Sequence, residues 1–218
     1  MAEPVAPHVP ASYCEAVEQM PPDSPHRKYH DHEYGFPMAD DGELFGRLIL
    51  EINQAGLSWT TILNKQESIR AAYAGFDIGA VARFTDADRA RLLADPGIIR
   101  NRLKIDAAIH NAARVVELQA ECGSFHRWLD AHHPRSAPDW VKLFKRTFRF
   151  TGGEITKEFL MSTGYLPGAH IDSCPVYARI AKLGPPWMRE PQQRTPRRYL
   201  RAARSSSGTR CPPPRPTI

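Results

Sequence analysis

The chain has 218 residues, of which 42% are hydrophobic and 24% charged, an ordinary composition for a globular protein. A chain of this length can bury a core without disulfides, and no apolar run approaches the roughly 20 residues that cross a bilayer. These features exclude a disulfide-stapled miniprotein and predict no contact with membranes. The first residues lack a charged segment followed by an apolar stretch, so we expect no signal peptide and a cytoplasmic location.

The net charge of +5 is unevenly distributed along the chain. Residues 189–218 contain eight arginines and one acid, whereas residues 1–188 contain 21 basic and 23 acidic side chains. Nucleic-acid binding would therefore have to rest on a local site rather than on the total charge. Residues 1–12 predict a flexible arm, and residues 184–218, rich in Pro, Arg and Ser, predict a disordered tail, either a loose electrostatic tether or an extension without a role. One folded domain remains, over residues 13–183.

Helix-capping residues and apolar repeats predict that this domain is all-α. In its first half, helices are expected between Asp40 or Asp41 and Gly56, Ser58 and Tyr73, Asp77 and Arg83, and Thr85 and Leu93. A turn at Asp95-Pro96-Gly97 leads to a long helix over residues 101–120, and further helices begin at Ser124, Ser136 and Gly153. No alternating run of β-branched residues is long enough to predict a sheet.

Two stretches concentrate polar and aromatic side chains. The first is the run Tyr29-His30-Asp31-His32-Glu33-Tyr34-Gly35, just before the first of these helices. The second contains Glu51, near the end of that helix, and Trp59. The carboxylate of Glu51 lies either at the helix margin or buried with a function, because a buried charge is costly without a partner.

His170 and Cys174 have a spacing that two metal ligands can share. An imidazole and a thiolate at this spacing can bind one tetrahedral zinc ion, which requires two further ligands. Cys14 and His30 are the economical candidates for them. The alternative is a surface histidine beside a buried thiol, because this spacing also recurs by chance.

The segment around Asp95-Pro96-Gly97 predicts a helix, a tight turn and a second helix. Free backbone N–H groups at the start of the second helix could face an anion, and Arg100, Arg102 and Lys104 would add positive charge. Such a hairpin can hold a phosphate without reading a base sequence. The alternative is a plain helix–helix corner with solvated cations.

Five runs, in this order, resemble the DNA-3-methyladenine glycosylase I family. They are Tyr29-His30-Asp31-x-Glu33-x-Gly35, Glu51-x-x-Gln54-Ala55-Gly56-Leu57-Ser58-Trp59, Gly97-Ile98-Ile99-Arg100-x-Arg102-x-Lys104-Ile105, Phe148-Arg149-Phe150-x-Gly152 and His170-x-x-x-Cys174. The resemblance covers about residues 13–175, and the run from Glu51 to Trp59 is its most specific part.

The resemblance implies an all-helical fold of the helix-hairpin-helix glycosylase kind and a monomeric, monofunctional hydrolase. Such an enzyme flips 3-methyladenine out of alkylated double-stranded DNA and hydrolyses its N-glycosidic bond, which initiates base excision repair in association with the nucleoid. It implies Glu51 as the catalytic residue, in a base pocket with Tyr29, Tyr34 and Trp59. It implies DNA binding by Gly97, Ile98, Arg100, Arg102 and Lys104, and a structural zinc ion (Zn²⁺) held by Cys14, His30, His170 and Cys174.

Three positions depart from the family pattern. Tyr34 stands where tryptophan is common, and Glu158 stands where a small polar residue is expected, so an inward-pointing Glu158 could change the base preference. The segment from Cys14 to His30 is longer than expected, which leaves His32 or a water molecule as an alternative ligand. The alternative functions are a nucleic-acid-binding module of the same fold with weak or altered excision activity, and a zinc-stabilised helical interaction protein.

Overall fold

The structure, a computed structural model, describes residues 10–189, and in this range it contains helices but no β-strand, which confirms the all-α prediction. The described helices are α1 Tyr13–Glu18, α2 Pro25–His32, α3 Asp41–Gln54, α4 Trp59–Leu63, α5 Gln66–Ala72, α6 Ile78–Ala82, α7 Asp86–Ala94, α8 Arg102–Cys122, α9 Phe125–His132, α10 Ala137–Thr147, α11 Gly153–Ser162 and α12 Pro175–Lys182. Short 3-10 turns cover Ala74–Phe76 and Pro186–Met188.

Side-chain caps start several helices where the sequence predicts them. Asp40, Ser58, Ser124 and Ser136 each accept a hydrogen bond from the backbone N–H three residues later. Thr85 and Asp88 form the predicted capping box. The helix predicted from Ser58 to Tyr73 is instead two helices, because the chain leaves helical geometry between α4 and α5.

Helix α3 is the central element of the fold. It contacts α4, α5, α6, α8, α9 and α11, and every residue from 44 to 53 is buried. Gly46 permits this packing, because a Cβ atom there would collide with the ring of Phe76. Glu51 belongs to this buried run and is therefore enclosed by the core instead of lying at a helix margin.

Asp41 joins the start of α3 to two other helices. Its carboxylate accepts hydrogen bonds from Gln119 Nε2 at 2.8 Å and from the backbone N–H groups of Phe125 and His126 at 2.8 and 2.9 Å. Two of these donors lie at the N-terminus of α9, where a negative charge is favourable. The contact fixes the orientation of α3, and with it the position of Glu51.

The described chain stays packed beyond the predicted domain end at residue 183. The backbone N–H of Trp187 donates to the carbonyl of Gly164 at 3.2 Å, and its ring contacts Tyr177. The predicted arm and tail otherwise lie outside residues 10–189 and stay predictions. Within that range, no helix has the length and apolar character needed to cross a membrane.

Candidate functional site

A cavity of about 430 Å³ is lined mainly by aromatic rings and carboxylates. Ring centroids are 5.1 Å apart for Tyr29 and Trp59, 5.3 Å for Tyr29 and Tyr34, and 5.7 Å for Tyr13 and Tyr34. The other lining residues are Glu51, Gln54, Glu154 and Glu158. The structure thus brings together all four residues predicted for the base pocket. Tyr13, which no sequence motif indicated, joins them because its neighbour Cys14 belongs to the cysteine–histidine cluster described below.

Glu51 is the buried acid of this cavity. It is 4% exposed, and its carboxylate has no hydrogen-bond partner among residues 10–189. Burial raises the pKa of Glu51 to about 8, an effect that the positive charge of Arg47 opposes and the negative charge of Glu158 reinforces. A cation bound in the cavity would therefore stabilise the ionised form of Glu51.

Arg47 supplies a fixed positive charge one helical turn before Glu51. Its guanidinium lies over the ring of Tyr29, 4.7 Å from the centroid, and its Nη2 donates to Glu33 at 2.8 Å. Nε and Nη1 of this buried side chain have no hydrogen-bond partner in the described part of the chain. Arg47 thus lies behind one wall of the cavity, where it favours the carboxylate form of Glu51. Arg47 lies outside the quoted sequence motifs, and from the sequence it resembles any other positively charged residue on a helix.

Four side chains form a second cluster beside the cavity. The ligand atoms of Cys14, His30, His170 and Cys174 all lie within 4.8 Å of one another, and all four residues are buried. Three sulfur–nitrogen distances are 3.6, 3.7 and 3.7 Å. A tetrahedral metal with bonds of about 2.3 Å to sulfur and 2.0 Å to nitrogen would separate these atoms by about 3.5 Å. The cluster can therefore hold a metal ion, and the exposed His32, the alternative ligand, is not part of it.

Hydrogen bonds orient both histidines of the cluster. His30 Nδ1 lies 2.7 Å from the carboxylate of Asp31, and His170 Nε2 lies 2.8 Å from the carbonyl of Tyr34. Because these oxygens accept hydrogen bonds, each of these nitrogens carries the proton. The unprotonated His30 Nε2 and His170 Nδ1 then face the cysteines, which is the usual arrangement around a bound metal.

The predicted hairpin lies between α7 and α8, and its residues differ in accessibility. Arg100 is exposed, and the side chain of Arg102 is 76% exposed. Ile98 packs into the core, and the backbone N–H of Gly97 donates to Asp95 Oδ1 at 2.7 Å. Of the predicted contacts, the two arginines are therefore the groups most open to a phosphate.

The prediction for Lys104 needs correction. The residue is 4% exposed, and its ammonium donates to the carbonyls of Asn53 and Ala55 at 2.8 and 2.7 Å. Lys104 therefore holds the C-terminal end of α3, three residues after Glu51, instead of facing solvent. Capping of helix carbonyls by a lysine explains this placement, since those carbonyls have no partner within their own helix.

Comparison with known proteins gives a consistent result. Residues 19–139 match the model of the methyladenine glycosylase family. The chain belongs to this family. DNA-3-methyladenine glycosylase 1 of Escherichia coli (strain K12) is 36% identical over 168 residues, covering 68% of this chain and 89% of the relative. DNA-3-methyladenine glycosylase of Haemophilus influenzae is 35% identical over 167 residues, covering 67% and 89%.

A solved structure of the same family shares the fold. 3-Methyladenine DNA glycosylase I from Staphylococcus aureus, studied for its recognition of 3-methyladenine, is 32% identical and superposes with a TM-score of 0.65. The match covers 71% of this chain and 92% of that one. The family resemblance read from the five sequence runs is thereby confirmed.

The burial of Glu51 predicts a pH-dependent stability. With a pKa of about 8 in the folded protein and 4.5 as its ordinary value, Glu51 keeps a proton in the folded state that the unfolded chain has released. Its contribution therefore becomes increasingly destabilising as the pH rises from about 4.5 to 8. Glu51→Gln should be about 1 to 3 kcal/mol more stable than the natural protein at pH 8 and nearly equal at pH 5. Urea unfolding at both pH values measures this, and a constant difference between them would contradict the burial argument.

Proposed function

We propose that this protein is a DNA N-glycosylase that removes 3-methyladenine from alkylated double-stranded DNA by hydrolysing the N-glycosidic bond. The observation that carries the proposal is the buried carboxylate of Glu51 in a cavity walled by Tyr13, Tyr29, Tyr34 and Trp59. The E. coli and H. influenzae relatives are named as DNA-3-methyladenine glycosylases, which supports the same reaction here. A substrate in chromosomal DNA implies that the enzyme works in the compartment that holds the DNA.

The chemistry of the lesion fits this cavity. Methylation at N3 leaves the base positively charged within DNA, which weakens its bond to the sugar, so the leaving group needs no protonation by a strong acid. The faces of aromatic rings attract a cation by about 0.5–2 kcal/mol. Glu51 can accept a hydrogen bond from the exocyclic amine and add an opposite charge. Neutral adenine gains less binding energy from the aromatic faces and from Glu51, so the site favours the cationic base over the neutral one.

The base must leave the duplex to reach the cavity, at a cost of a few kcal/mol. The N-glycosidic bond then breaks with its electron pair passing to the base, which leaves as neutral 3-methyladenine, and water adds to the oxocarbenium-like sugar and releases a proton. None of the described residues lining the cavity is a lysine, so no amine is positioned there to form a covalent Schiff base. This supports a monofunctional hydrolase. One chain completes both the cavity and the metal cluster, which supports action as a monomer.

We propose that the hairpin between α7 and α8 binds the DNA backbone. The exposed guanidinium groups of Arg100 and Arg102 can pair with phosphates, and the backbone at Gly97 and Ile98 lies beside them. Lys104 acts differently, because its buried ammonium joins the first turn of α8 to the carbonyls that end α3. A phosphate held by the hairpin is thereby coupled to the helix that carries Glu51.

We assign the metal as a structural zinc ion. Two cysteines and two histidines are a common donor set for zinc, and four protein ligands leave no open position for a reacting water molecule. The ligands are distant in sequence, at positions 14, 30, 170 and 174, so the metal closes a long loop between the two ends of the domain. Its role is to hold the wall of the cavity in place.

The proposed reaction predicts a specific loss of activity in Glu51→Gln. Release of free 3-methyladenine from methylated duplex DNA, measured by chromatography, should fall about 100-fold or more, because the variant lacks the negative charge that attracts the cationic base and favours the positive charge that develops on the sugar. Glu117→Gln, on the exposed side of α8, is the matched control and should retain full activity. Full activity in Glu51→Gln would contradict the pocket assignment, and DNA binding without any release by the natural protein would favour the binding-module alternative.

The zinc assignment predicts about one zinc ion per chain in protein purified without added metal. Cys174→Ser should lose most of this zinc and unfold at a lower temperature, because binding energy at a structural site contributes to folding. His32→Gln is the control, since His32 lies outside the cluster. Elemental analysis of the three proteins decides the point. Less than half a zinc ion per chain in the natural protein, or zinc loss in His32→Gln alone, would contradict this ligand set.

A further inference from the structure

Glu158 is a second carboxylate in the cavity. It lies on α11, which packs against α3, and it is partly buried. The hydroxyl of Tyr34 donates to its Oε2 at 3.3 Å. Glu154, one turn earlier on the same helix, has a side chain that is 82% exposed and pairs with Lys157 at 3.0 Å. Both residues line the cavity, but Glu158 is the more enclosed of the two carboxylates.

A second acid at this position makes it costly to ionise both carboxyl groups when no ligand is bound. Burial raises the pKa of Glu158, and the charge of Glu158 adds to the rise of the pKa of Glu51. Two like charges that share a partly dry cavity repel each other unless a cation enters. The hydrogen bond from Tyr34 satisfies only one oxygen of Glu158, so the other stays available to a ligand. The arrangement is thus suited to a ligand with a full positive charge.

We propose that Glu158 is a specificity-determining residue, which with Glu51 gives the cavity two carboxylates and makes it select purines that carry a full positive charge over neutral purines. This inference rests on the proposed function, since it assumes that the cavity receives a base. It goes beyond the role of Glu51, because it assigns part of the charge selection to a residue on a different helix. Tyr34 holds Glu158 in place and at the same time forms one wall of the cavity.

The test uses two small probes that separate charge from shape. The cation 3,9-dimethyladeninium carries a permanent positive charge, and 9-methyladenine is its neutral counterpart. Calorimetric titration measures the affinity of each probe for the full-length protein and its variants. Glu158→Gln should weaken binding of the cation about tenfold and change binding of the neutral probe less than twofold. Glu158→Asp, which keeps the charge, should retain most of the preference.

Glu117→Gln is the matched control, because it removes the same charge at an exposed position outside the residues that line the cavity. It should change the affinity for either probe less than twofold. Equal binding of the cation by the natural protein and Glu158→Gln would overturn the inference, as would an equal loss in Glu117→Gln. Release of 3-methyladenine from DNA by the natural protein is measured separately. Failure of that release contradicts the proposed function, whereas normal release with unchanged cation binding by Glu158→Gln contradicts only this inference.

Discussion

The site is built around one buried acid, Glu51, which is costly to ionise in the core. Its carboxylate lies inside the packed face of α3 without a hydrogen bond from the described residues, and only the guanidinium of Arg47 compensates its charge within the core. A charge in such surroundings reduces the stability of the empty protein. The same surroundings strengthen its attraction for a cation, because little water screens the interaction.

The cysteine–histidine cluster and the aromatic cage of Tyr13, Tyr29, Tyr34 and Trp59 are structurally connected. Tyr13 precedes Cys14, Tyr29 precedes His30, and the carbonyl of Tyr34 accepts a hydrogen bond from His170. Each tyrosine of the cage therefore either precedes a residue of the cysteine–histidine cluster in the sequence or is hydrogen-bonded to one. Holding the ligands together brings α1 and α2 against the segment before α12. The rings then meet over Glu51, although α1 and α2 are too short and polar to be stable alone.

The sequence predicts those parts of the fold that depend on local signals. The caps at Asp40, Ser58, Ser124 and Ser136 lie where side-chain chemistry places them. Helix α2 was not predicted, because its buried face consists of Tyr29 and His30 rather than an apolar stripe. Lys104 was predicted to be exposed because a charged side chain beside a turn usually faces solvent. The carbonyl groups that its ammonium contacts come from a distant part of the sequence. The spacing of His170 and Cys174 left Cys14 and His30 as candidates only, and family resemblance then implied the full set of four.

We infer that Glu51 is a buried acid whose ionised form is stabilised by a bound cation. Carbon-13 NMR of the glutamate side-chain carboxyls, assigned with Glu51→Gln, measures this directly over a pH titration. We expect a pKa for Glu51 near 8 in the free protein and a fall of at least one unit when the dimethyladeninium cation binds. A pKa near the ordinary value of 4.5 in the free protein, or one that does not change when the cation binds, would contradict it.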